Sequence, residues 1–273
     1  MSSSRRRVSC ELDASLGEPT AIVLAVAVAL EAGIAIEEHL DVRLNDVPLE
    51  LTEVPGPGGT RWHTAHADAG ILSVRYAATV DGRARDHAVA PLDRVLYVRP
   101  SRYVQSDDLH GMLIDPAIIE QLSVMPERER VIAARDWVAE HLDYVVGSTL
   151  PTDGLAEVLA TGQGVCRDFA HVLAGVLRAT DLPARIVSVY APQLEPMDFH
   201  AVVEAAVDDE WVVLDATGLA PRETMVRIAT GRDAADTAFL ANDGSALELI
   251  RITVTAQADE TAVDQPAALV HLG

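Results

Sequence analysis

The sequence of 273 residues contains no lysine, so all 21 of its basic side chains are arginines. The chain therefore offers no ε-amine and cannot act as its own side-chain amine donor in a cross-link. Cysteine is nearly absent as well. Cys10 and Cys166 stand far apart in sequence and do not make the disulfide framework that secreted proteins usually carry. Long apolar runs are also missing. The longest, "TAIVLAVAVALEAGIAI", is interrupted by Glu31, rich in β-branched residues and too short to span a bilayer as a helix. The opening "MSSSRRRVSC" is basic but leads into no apolar signal-peptide core. These absences predict a cytoplasmic protein.

Positive charge is scarce against 42 acidic residues, giving a net charge of −21. Such a balance argues against nucleic acid or an anionic membrane surface as a partner. The imbalance is uneven: residues 1–100 hold 10 arginines and 14 acids, leaving 11 and 28 for the remainder.

From Val8 to Tyr97 the pattern is one of strands. "VSCELDAS", "AIVLAVAVAL", "LDVRLNDVPLEL", "GILSVRYAATV" and "RVLYVRP" are short, often alternating runs parted by Asn45-Asp46, "EVPGPGGT" and Asp81-Gly82. This spacing predicts an antiparallel β-sandwich or open barrel. After Pro100 the character changes. "PERERVIAARDWVAEHLDY" starts a helix at Pro126 with Val131, Ala134, Val138 and Leu142 along one face. A second helix starts near Cys166, with Phe169, Val172, Leu173, Val176 and Leu177 as its stripe. "DLPARIVSVYAP" reads as a turn and a strand, "HAVVEAAV" and "WVVLDATG" as a hairpin around "DDE", and "ALELIRITVTA" as a last strand. The division expected is an N-terminal β-sandwich over residues 1–105, a second domain over 106–257, and a loosely held tail over 258–273. The link between the halves is expected within residues 100–111.

The chemistry concentrates in "TGQGVCRDFAHVLAGVLRAT". Gly162 and Gly164 let the backbone turn tightly, which sets Cys166 in the first turn of its helix. A thiolate is favoured at a helix N-terminus beside an imidazole, and the free N–H groups there can face a developing oxyanion. His200 follows 34 residues later at the start of a strand, and Asp215 a further 15 on, at the end of the next. With a two-residue turn at Asp208-Asp209, His200 faces Thr217, and Asp215 lies on the same sheet face within diagonal reach. A three-residue turn puts Asp215 on the opposite face.

The blocks "GQGVCRDFAHVLAGVLRATDLPARIVSVY", "FHAVVE" and "WVVLDATG", in that order, resemble the bacterial transglutaminase-like superfamily, whose members have a papain-like fold. The resemblance runs from Pro126 to Phe239 and reaches more weakly into the first half, where many such proteins carry a β-sandwich. It implies an α+β protein in which the Cys166 helix packs on an antiparallel sheet. It further implies that Cys166 is a nucleophile, His200 its general base and acid, and Asp215 the residue orienting His200. The implied reaction is acyl transfer on a peptide, protein or other amide through a Cys166 thioester, with hydrolysis favoured. Amine transfer, and a non-catalytic peptide-binding or assembly module, are the alternatives. No cofactor is implied.

By the same resemblance Gln163 is a candidate oxyanion donor. It stands only three residues before the cysteine, and a plain loop residue fits that spacing equally well. The family often has tryptophan where this chain has Val202, and proline where it has Ala216. Both positions are expected to neighbour the cleft. Cys10 reads as a packing residue, His171 as a local packing or capping group, and Arg167 and Asp168 as helix-start charges. Arg232, Asp233 and Asp236 read as holding a loop. The triple Arg5-Arg6-Arg7 is expected to be a mobile charge cluster. His63 and His66 point to opposite faces of a strand, and Cys166, His200 and Asp215 lack the close-spaced ligand pairs of a zinc site, so no metal is expected.

Overall fold

Along Arg6–Leu16 every second side chain is buried, so this strand offers Val8, Cys10, Leu12, Ala14 and Leu16 to a core on one side. It belongs to a computed structural model that describes residues 5–109, 114–244 and 246–273. In chain order the first half holds β1 (Arg6–Leu16), β2 (Thr20–Leu24), β3 (Ile34–Leu44), β4 (Val47–Pro48), β5 (Thr52–Pro55), β6 (Arg61–Ala67) and β7 (Gly70–Gly82). The second holds α1 (Pro91–Leu96), α2 (Pro116–Ser123), α3 (Glu127–His141), β8 (Asp143–Tyr144), α4 (Leu155–Thr161), β9 (Gln163–Gly164), α5 (Cys166–Ala179) and β10 (Ala184–Tyr190). It continues through β11 (Phe199–Val207), β12 (Glu210–Leu214), β13 (Val226–Gly231), α6 (Ala234–Thr237), β14 (Leu240–Asn242) and β15 (Leu247–Ala258).

Two antiparallel sheets, ordered β15-β1-β7-β3-β4 and β14-β2-β6-β5, form the sandwich. Leu12, Leu72 and Val74 from one and Ile22 and Leu24 from the other share its core. The expected limits of the second domain need correction here. β14 pairs with β2, and β15 pairs with β1 along its whole length, so the chain returns to the sandwich instead of ending in the second domain at residue 257. The reason is physical: β1 would otherwise be an open edge, and Val254 and Ala256 supply alternating apolar side chains to cover it. His110 and Gly111, in the expected link, lie outside the described residues.

The second half is built on the antiparallel sheet β12-β11-β10-β13. α5 packs on β10 and β11 and is flanked by α3 and α4. Every residue from Asp168 to Ala179 is buried, as expected of a helix enclosed on all sides. α3 begins one residue later than expected, with Pro126 as its N-cap, and buries Val131, Ala134 and Val138. Together these elements make the α+β architecture that the sequence implied.

Arginines stitch the halves together. Glu204, fully buried on β11, accepts from Arg185 (2.7 Å) and from Arg227 (2.8 and 2.9 Å). Arg227 also donates to Glu31 of the sandwich at 2.9 Å, and the Arg185 guanidinium stacks 4.0 Å from the Trp211 ring. Burial alone would raise the Glu204 carboxyl; the two guanidiniums overcome it and hold it down at about 2.

Two further expectations are corrected in the same way. The tail is docked, not loose. Arg222 donates to Gln265 O (2.8 Å) and pairs with Asp264, Arg135 donates to Pro266 O (2.9 Å), and Val270 bridges to Val213 on edge strand β12. Buried guanidiniums need acceptors, and the tail supplies them through its backbone, which side-chain polarity does not reveal. The arginine triple is equally held. Arg5 pairs with Asp81, Arg7 with Asp259, and the buried Arg6 donates to Gly82 O and Gly273 O.

The Glu204 network generates a stability prediction. Glu204→Ala leaves two buried guanidiniums short of their counter-charge and lowers the unfolding free energy in urea by about 3–5 kcal/mol. A loss under about 1 kcal/mol would show that the network does not join the halves.

Candidate active site

Cys166 opens α5 and is half-buried. Two glycines allow the approach. Gly162 ends α4 with φ +65°, and a Cβ on Gly164 would fall 2.6 Å from Asp168 Cβ. The fully buried Asp168 caps the helix: its Oδ2 accepts from Val165 N–H (2.9 Å) and from Thr149 Oγ1 (2.6 Å). A bare carboxylate half a turn from the sulfur would oppose a thiolate. Arg167 offsets it, donating to Asp168 Oδ1 from Nε (2.9 Å) and Nη2 (2.8 Å), and it also reaches Leu150 O at 3.0 Å. The helix-start charges therefore lock the turn before Cys166 to the loop at residues 149–150.

His200 and Asp215 meet through the hairpin. Asp208 and Asp209 both have positive φ, 50° and 66°, and form a two-residue turn. It pairs Val207 with Glu210 and carries that register to Val203 and Leu214. Of the two turns open from sequence, this is the one that puts Asp215 on the face of His200. The bond between them, His200 Nε2 to Asp215 Oδ2, is 2.8 Å long. A carboxylate only accepts, so Nε2 carries the proton and Nδ1 is left for the thiol, with which the imidazole interacts directly. Asp215 Oδ1 accepts from Thr217 N (2.8 Å) and Thr217 Oγ1 (2.7 Å).

Residues 117–216, which contain all three groups, match the model of the transglutaminase-like superfamily. Over this segment the chain is similar to that superfamily. A solved structure of a candidate cysteine protease from Cytophaga hutchinsonii is 29% identical, with a TM-score of 0.84 over 96% of this chain and 93% of its own. An uncharacterized protein of Mycobacterium leprae is 31% identical over 121 residues, 41% of this chain and 43% of that one. An uncharacterized Mycobacterium tuberculosis protein is 38% identical over 88 residues, 30% of this chain and 28% of that one. The chain thus spans less than half the length of these curated relatives.

The remaining candidates separate. Gln163 lies on β9, exposed, in register with Asp143 and not with Tyr144. His171 is buried, accepts from Ala234 N–H at 3.1 Å and lies parallel to Tyr103; burial lowers its pKa to about 4, so it is neutral. Asp233 caps α6 and accepts from Tyr103 N–H, and Arg232 pairs with Asp236. Val202 and Ala216 are buried in packed cores, Val202 among Val187, Val189 and Val213. Cys10 is fully buried in the sandwich, where burial raises its thiol to about 11. His63 is buried and His66 exposed on β6, and among the described residues no group of three or more His, Cys, Asp or Glu could hold a metal ion. No helix among them is long and apolar enough to cross a membrane.

One residue beside the sulfur was invisible in the sequence: Tyr144, whose half-exposed phenol interacts with the Cys166 backbone and thiol. It is brought there by β8, which pairs in parallel with the strand just before the cysteine. Nothing local in "LDYVVG" signals that pairing.

The electrostatics yield a pH prediction. Burial disfavours the His200 imidazolium, but the charge and hydrogen bond of Asp215, with Cys166, outweigh it and lift His200 from 6.5 to about 10. Burial likewise opposes the Asp215 carboxylate, while His200 and Thr217 hold its pKa below the ordinary 3.8. The pair's stabilisation is thus complete below pH 6.5 on the histidine side and fades as pH rises toward 10. On the acid side it is present above the ordinary 3.8 of Asp215 and lost as pH falls through the folded value. Ring-nitrogen NMR of His200 should show an imidazolium throughout pH 6–8, and Asp215→Asn should move its midpoint down. A wild-type midpoint near 6.5 would contradict the pairing.

Proposed function

We propose that this protein carries out cysteine-dependent acyl transfer on peptide or other amide substrates, with water as the usual acceptor: a transglutaminase-like cysteine peptidase or amidase. The observation that carries the reading is the Nε2 bond of His200 to Asp215, which leaves Nδ1 toward the Cys166 thiol. The 29% identity with a candidate cysteine protease over nearly the whole chain supports it.

In this reaction Nδ1 of His200 already holds the proton given up by the thiol, and the sulfur attacks the amide carbon while the carbonyl π pair moves to oxygen. The oxyanion collapses, the C–N bond breaks, and the His200 proton goes to the departing amine. A thioester on Cys166 remains. Water, deprotonated by His200, attacks it, the C–S bond breaks, and the acid leaves with the thiol restored. Asp215 stabilises each imidazolium and fixes the ring without itself accepting the proton. An amine in place of water gives transamidation from the same intermediate. Because the chain has no lysine, that acceptor would come from another molecule. A net charge of −21 disfavours nucleic acid and anionic membranes as targets, and two free cysteines support a reducing, cytoplasmic setting.

Iodoacetamide should label Cys166 rapidly below pH 7, and His200→Ala should abolish that advantage. Labelling no faster than a thiol of pKa about 8.5 would leave the fold as a binding module. Comparing wild type with Cys166→Ala on peptide mixtures in H₂¹⁸O separates the acceptors. Hydrolysis leaves ¹⁸O in a new carboxylate, whereas transamidation leaves none.

A further inference from the structure

An oxyanion next to Cys166 needs donors, and the first turn of α5 narrows the choice. The N–H of Val165 is taken by Asp168, and those of Asp168 and Phe169 turn back to Val165 O. The Arg167 guanidinium is spent on Asp168, Thr149 and Leu150. The N–H groups of Cys166 and Arg167 remain, and the first of them faces the hydroxyl of Tyr144.

The placement of Tyr144 is built in by the backbone. Asp143 N–H donates to Gly162 O (2.8 Å) and Val145 N–H to Gly164 O (2.9 Å), so Tyr144 is strapped to the loop that leads into the nucleophile. In the parallel pair, Tyr144 stands opposite Gly164 and Gln163 opposite Asp143. Alternation along a strand then sends the Gln163 side chain to the other face from the phenol, which removes it as the partner donor. Gly164 has no side chain to intervene. The Phe169 ring, 5.9 Å from that of Tyr144, backs the phenol on one side, while solvent is open on the other. Burial and the neighbouring Cys166 raise the phenol to about 12, so it keeps its proton and is a donor at neutral pH.

Building on the acyl-transfer reading above, we propose that Tyr144 is a catalytic residue, the second donor of the oxyanion hole beside the Cys166 N–H. At rest its hydroxyl lies against that N–H and the sulfur, near where a substrate carbonyl oxygen must sit. An arriving carbonyl oxygen takes over the N–H, and the ring turns toward solvent far enough to donate to that oxygen instead. The site is thereby occupied by a polar group when empty and keeps two donors when charge develops.

Reversible addition of N-acetylglycinal to Cys166 tests this without knowledge of the natural substrate. The sulfur bonds to the aldehyde carbon, the π pair moves to oxygen, and the thiol proton passes through His200 to that oxygen. The hemithioacetal oxygen then sits in the hole. Tyr144→Phe keeps the ring and removes the hydroxyl. Its dissociation constant for the aldehyde should rise about three- to tenfold, the loss expected for one hydrogen bond between neutral groups. Its iodoacetamide labelling, a reaction that develops no oxyanion, should remain rapid below pH 7 and also reports that the fold is intact. Equal or tighter aldehyde binding by the variant, with rapid labelling in both proteins, would remove Tyr144 from the hole while sparing the thiol chemistry. Slow labelling of wild-type Cys166 with no aldehyde adduct would instead overturn the acyl-transfer reading, and this proposal with it.

Discussion

The hydrogen bond from His200 to Asp215 is the interaction on which the rest of the site depends, and a two-residue turn decides whether it exists. Asp208 and Asp209 adopt positive φ together. One more residue in that turn would rotate Asp215 to the opposite face of the sheet and leave a buried imidazole without a counter-charge. With the bond in place, Nε2 is committed and the ring offers Nδ1 to the sulfur. The proposed proton transfers follow from that one orientation.

The sulfur is placed by an equally economical device. Asp168 caps the turn before Cys166, Gly164 leaves room for the carboxylate, and Arg167 neutralises it while gripping the neighbouring loop. Had the cap been a lone carboxylate, its charge would have worked against the helix terminus in stabilising a thiolate. The rigidity of α5 comes from elsewhere: a helix buried from Asp168 to Ala179 has no freedom to shift its first turn. The buried arginines linking Glu204 to Glu31 extend the same constraint into the sandwich.

Much of this was legible in the residues. The apolar stripe of α5, the glycines before Cys166, and the strand-turn-strand bearing His200 and Asp215 are local patterns, and local patterns survive in a single sequence. What escaped was non-local. The pairing of β8 with β9 brings Tyr144 to Cys166 across a stretch of more than twenty residues, and no periodicity records it. The return of β14 and β15 to the sandwich was hidden because a strand pattern does not name its partner. The docked tail and the held arginine triple were missed for a related reason, since a guanidinium that bonds to backbone carbonyls leaves no complementary residue to notice.

The central claim is that Cys166 forms a covalent acyl intermediate. Rapid mixing with p-nitrophenyl acetate, an acid quench and intact-mass analysis with peptide mapping tests it directly. The account predicts a burst of nitrophenol matched by one acetyl group per chain, located on Cys166 and absent in Cys166→Ala. Nitrophenol release without a burst, or acetyl found on any other residue, would contradict it.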